Sequence, residues 1–128
     1  MLWALLAQPL LAETLRIASY HAELSRKGPG LLLRDIRSGE DPQVAAVARV
    51  VAAVDADILV LQGVDYDHGH IALRALRDAI ARAGPRYPHL FALRPNTGMA
   101  TGRDLDGDGR KGEPEDAQGY GWFAGEGG

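Results

Sequence analysis

The chain has 128 residues and a mass of 13.7 kDa, room for one domain but not for two cores of ordinary size. Hydrophobic residues make up 46% and charged residues 24%, a globular balance that argues against wholesale disorder. There is no cysteine and the net charge is −3. This excludes disulfide scaffolds, thiolate metal sites, cysteine nucleophiles and general polyanion binding, so nucleic acid is not an expected partner of this chain alone.

Residues 1–12 (MLWALLAQPLLA) are apolar apart from Gln8 and Pro9. The run is too short to span a bilayer, so no stable membrane anchor is expected. It has the apolar half of a secretory signal and lacks the basic one, which leaves two readings open. One is export, to the periplasm or outside the cell. The other is an apolar strap on the domain, or a start placed slightly late.

Residues 13–94 form the expected folded part. Leu15 to Tyr20 alternates apolar and polar residues and reads as a strand. Leu31 to Ile36, after Gly28-Pro29-Gly30, is a candidate short helix. Asp41-Pro42 is a helix start, because Asp accepts the free N–H groups and Pro loses no needed donor in the first turn. Val44, Val47, Ala48, Val51 and Val54 continue at helical spacing, so a helix is predicted over 42–54. Asp57 to Leu61 (DILVL) is a short β-branched run expected to be a strand buried on both faces. Ile71, Ala72, Ala75, Leu76, Ala79, Ile80 and Ala83 mark a further helix, which Gly84-Pro85 should end with a left-handed cap. His89 to Leu93 (HLFAL) is a candidate third strand. The class is α/β in β-α-β-α-β order, and functional groups are expected beyond the carboxyl ends of the strands, at residues 20–23 and 62–65.

Residues 95–128 are a glycine-rich acidic loop or tail. They hold 10 of the 16 glycines, with no apolar run long enough for a strand. Between Asp104 and Asp116 six acids face two bases, a net of −4 that leaves +1 on the rest of the chain. Such a pool of charge calls for a cation partner. Asp104, Asp106, Asp108, Gly109 and Glu115 fit D-x-D-x-D-G-x5-E, the spacing of a twelve-residue calcium loop. Alternate carboxylates would wrap one side of Ca²⁺, the Arg110 carbonyl would add a ligand, and Glu115 would close the shell. The flanking helices of an EF-hand are missing from the pattern, so the expectation is a free-standing loop. The alternative is a solvated Asp/Gly turn. His68, His70 and His89 show no metal-ligand spacing, and Asp67 is a natural cap for the helix that follows. Trp122 and Phe123 are expected to dock on the sheet, or to pack on a missing half of the fold.

Three stretches carry a resemblance. They are LRIASYHAEL (15–24), ADILVLQGVDYD (56–67), and NTG, GRDLDGDGR and DAQGYGWFAG between Asn96 and Gly125. Together they resemble the endonuclease/exonuclease/phosphatase family, in particular a bacterial and often exported subgroup with an acidic, glycine-rich loop. The resemblance implies a partial α/β sandwich covering the N-terminal part of the family domain. It also implies Mg²⁺-dependent hydrolysis of a phosphate-ester substrate. The family places an Asn at the position of His21 and a Mg²⁺-binding Glu at the position of Gly63, so both positions are altered here. Asp65 and Asp67 are carboxylates just past that strand end, with Asp65 the candidate replacement and Asp67 the natural helix cap. The family's catalytic His and its Asp partner have no counterpart in this sequence. The expectation is therefore a phosphoesterase framework, inactive as it stands, with calcium binding through the 104–115 loop as the alternative function.

Overall fold

The computed structural model describes residues 13–119 and 123–127. The signal-like run 1–12 and Trp122 lie outside the described residues. The elements are β1 (Ile17–His21), α1 (Leu31–Ser38), α2 (Pro42–Val54), β2 (Ile58–Gln62), α3 (Ile71–Ala83), β3 (Met99–Ala100) and β4 (Ala117–Gln118). The class is mixed α/β, with three helices and short strands among the described residues.

Local chemistry accounts for the helices. Asp41 Oδ1 accepts the Val44 N–H at 2.8 Å, and Pro42 occupies the first turn of α2. Asp67 caps α3 from four residues upstream, accepting the N–H of Ile71 at 2.6 Å and of Ala72 at 2.7 Å. Each helix turns an apolar stripe inward. Leu32 and Ile36 of α1, Val47 and Val51 of α2, and Leu76 and Ile80 of α3 are buried together with Leu24. Burying each such side chain is worth about 1.5–3 kcal/mol.

β1 and β2 pair in parallel, with Ile17 opposite Ile58 and His21 opposite Gln62. Tyr20, Leu59 and Leu61 pack on the helical core. The other face is open, and β2 is not buried on both faces as its composition predicts: Ile58 and Val60 are 47% and 48% exposed. The cause is that the helical core covers only the face of the pair that carries Tyr20, Leu59 and Leu61.

The predicted third strand is absent. Residues 89–93 form no ladder with the described residues, and Phe91 and Leu93 are 83% and 75% exposed. A strand exists only with a ladder partner. Here a cavity of about 760 Å³, lined by Val60, Leu61, Leu73, Ile80, Leu90 and Phe91 among others, separates this segment from β2. The helix stop also differs from expectation. Gly84 has φ 171°, ordinary extended backbone rather than a left-handed cap, although its N–H still reaches the Ile80 carbonyl at 3.0 Å. Its role is close approach: a Cβ there would sit 3.0 Å from Ala52 Cβ of α2.

The glycine-rich region does contain strands. β3 and β4 form a two-residue antiparallel ladder, Met99 opposite Gln118 and Ala100 opposite Ala117. The ladder closes the base of the acidic loop. Sequence periodicity cannot detect strands of two residues.

Candidate metal centre

The loop between β3 and the 3₁₀ turn Pro114–Asp116 is built by carboxylates that accept backbone N–H groups. Asp104 Oδ1 accepts from Gly107 at 2.6 Å and Asp104 Oδ2 from Gly109 at 2.9 Å. Asp106 accepts from Asp108 at 3.2 Å, and Asp108 from Arg110 at 2.8 Å. Asx turns of this kind hold a chain without an ion. They also bring the side chains together. One carboxylate oxygen each from Asp104, Asp106 and Asp108 lies within 4.8 Å of the others, a group that can hold a metal ion. Gly109, at φ 88°, supplies the sharp turn that the loop needs here.

Electrostatics within the group is uneven. The Gly109 N–H, the largest influence, holds the Asp104 carboxyl below its ordinary value. Asp106 is pushed up: the Asp108 N–H favours its charge, but burial and the carboxylates of Asp108 and Asp104 outweigh it. Three like charges at this spacing repel one another, and a dication between them would remove that cost.

The predicted carboxylate Glu115 does not join the triad. It is exposed on the 3₁₀ turn. Arg110 is exposed, and its guanidinium reaches Glu113 at 3.4 Å. The carboxylate that does fold back on the loop is Asp116, one residue on from Glu115. It is 2% exposed and accepts the N–H groups of Leu105 at 2.7 Å and Gly112 at 2.8 Å. Sequence reasoning passed over Asp116. The available signal was Pro114 with acids on both sides, the pattern of a helical turn start.

The strand ends hold the second set of predicted residues. His21 is exposed at the end of β1, opposite Gln62. Gly63 follows β2 at φ 68°, and a Cβ there would lie 3.0 Å from both His21 Nε2 and the Glu23 nitrogen. A side chain at 63 would thus be strained and crowded. Asp65 is buried, with Oδ2 accepting from Arg26 N–H at 3.0 Å and Oδ1 from Gly127 N–H at 2.9 Å. Burial raises its carboxyl above the ordinary value, against those two N–H groups. His21 and Asp65 join no ligand group among the described residues. The residues at the strand ends therefore do not fit Mg²⁺: position 63 offers no side-chain oxygen, its carbonyl accepts the Leu24 N–H, and both oxygens of Asp65 are engaged by backbone. His68 is exposed, as expected of a turn. His70 is half-buried, its ring edge-on to Tyr66 with centroids 5.4 Å apart.

Scans against protein-family models, curated proteins and solved structures return no match for this chain. No described helix is long and apolar enough to cross a membrane.

Proposed function

We propose that the chain is a divalent-cation-binding module, with Asp104, Asp106 and Asp108 holding the ion on an α/β framework of phosphoesterase descent. The observation that carries this reading is the convergence of three carboxylate oxygens within 4.8 Å on a six-residue loop. All three donors are hard oxygens, which selects Ca²⁺ or Mg²⁺ over softer metals. The loop is exposed and glycine-rich. That favours Ca²⁺, which accepts variable coordination and several waters, over the strict octahedron of Mg²⁺. The test is a thermal melt of the whole chain in calcium, in magnesium and in chelator. Calcium should raise Tm by preferential binding to the folded form. An Asp104→Asn/Asp108→Asn variant should lose that rise. An equal Tm in calcium and chelator removes the proposal.

A second reading, residual phosphoesterase activity toward a phosphate ester, is favoured by the parallel register that places His21 beside Gln62 at the strand ends. It is the weaker reading, because position 63 carries no carboxylate and Asp65 is engaged by backbone. Bis-p-nitrophenyl phosphate with Mg²⁺ or Mn²⁺ is the probe. Turnover that falls in a His21→Ala variant would establish this reading, and no turnover above that variant removes it.

A further inference from the structure

Beyond the strand ends the chain lies backbone against backbone. Gly127 N–H donates to Asp65 Oδ1 at 2.9 Å, and the Gly127 carbonyl accepts the Ser25 hydroxyl at 3.0 Å. The Gly125 carbonyl accepts Tyr66 N–H at 2.7 Å, and Gly125 N–H reaches the Thr97 carbonyl at 3.3 Å. A Cβ on Gly127 would lie 2.5 Å from the Val64 nitrogen and 2.7 Å from the Gly63 carbonyl carbon. A Cβ on Gly125 would meet the Tyr66 carbonyl oxygen at 3.0 Å. Only glycine can pass through this gap without something shifting. The segment therefore crosses the carboxyl ends of β1 and β2, the place where open α/β sheets take their ligands.

We propose that Gly125–Gly127 is a strap closed over those strand ends, latched by Asp65, which opens as a unit of its own while the α/β core stays folded. Asp65 is the latch because its two oxygens join two different segments: Oδ1 holds the strap, and Oδ2 holds Arg26 after β1. The strap is separable because residues 123–127 give no side chain to the apolar core. Among the described residues the bonds that hold Gly125–Gly127 are polar, so opening exposes little of the apolar core and lies at the low end of local opening free energies. The cation loop plays no part in this argument, and either idea can fail without the other.

Residue-resolved amide hydrogen exchange on the whole chain tests it. In the wild type, the Tyr66 and Gly127 amides should be protected yet exchange faster than Ala22, whose N–H bonds the Gln62 carbonyl. Gly127→Ala forces a Cβ into the gap. It should speed Tyr66 exchange by about tenfold or more, the scale of a lost buried hydrogen bond, and leave Ala22 unchanged. Asp65→Asn should speed Gly127 and Arg26 in the same selective way, and it carries the test if Gly127→Ala does not fold. Two results overturn the proposal. One is unprotected exchange at Tyr66 and Gly127 in the wild type. The other is exchange of Tyr66 and Ala22 at one common rate that rises together in the variants, which would make the segment part of the core.

Discussion

In residues 13–94 the buried side chains are Leu, Ile, Val and Ala, joined by one carboxylate, Asp65; in residues 95–127 the buried side chain among those described is a carboxylate, Asp116. The first region is held by apolar burial between helices and one sheet face. The second is held by carboxylates that gather backbone N–H groups, four of them Asp within thirteen residues. The difference teaches where each kind of function can sit. A core of Leu24, Leu32 and Leu76 fixes geometry but offers no chemistry. A loop built on carboxylates brings together three oxygens that could hold an ion.

Mutations can break that comparison, and the largest effect belongs to the core. Leu76 is fully buried in α3. Leu76→Ala should cost about 2–5 kcal/mol, from lost burial and the cavity it leaves, read as a lower urea midpoint. A cost near zero would mean the helices are not packed as described. Asp67 comes next. Removing its carboxylate frees the N–H groups of Ile71 and Ala72, and Asp67→Ala should cost about 1–2 kcal/mol by the same measurement.

The pH dependence separates two aspartates of opposite sign. Hydrogen bonds from the Arg26 side chain, and then from Arg34, hold the Asp35 carboxyl below its ordinary value. Its contribution to stability is therefore present above the ordinary aspartate range and is lost as pH falls through the depressed value. Asp65, raised by burial, acts the other way: stability from this group declines as pH rises past the ordinary value. Asp35→Asn should bring variant and wild type together at low pH and leave the variant less stable near neutrality. A gap that does not change with pH would contradict this. The smallest effect is expected at Phe91, which is 83% exposed. Phe91→Ser should shift stability by no more than about 0.5 kcal/mol. A large loss would show that residues 89–93 pack on something the fold described here does not contain.

Much of the first region was legible in the sequence because its signals are local. The bounds of α2 follow from Asp41, Pro42 and the spacing of its valines, all within one short stretch. The Asp104, Asp106 and Asp108 group was legible for the same reason, since alternate residues of one turn must lie close together. Pairing is not local. HLFAL has the composition of a strand, and nothing within those five residues says whether β2 will meet it. Closure of the acidic loop is not legible for a related reason. Whether Glu115 or Asp116 turns inward depends on how the 3₁₀ turn sits on the β3–β4 ladder, and spacing alone does not encode that. Gly127 likewise shows its purpose only beside Ser25 and Val64, residues distant in the chain.

The most direct test of the central claim is calcium titration of the whole chain, followed by calorimetry and by the amide shifts of residues 104–109. The account predicts saturable binding of one ion, shifts confined to the acidic loop, and loss of both in Asp104→Asn/Asp108→Asn with the helical signal unchanged. Absence of binding at millimolar calcium, or binding that survives in that variant, would contradict it.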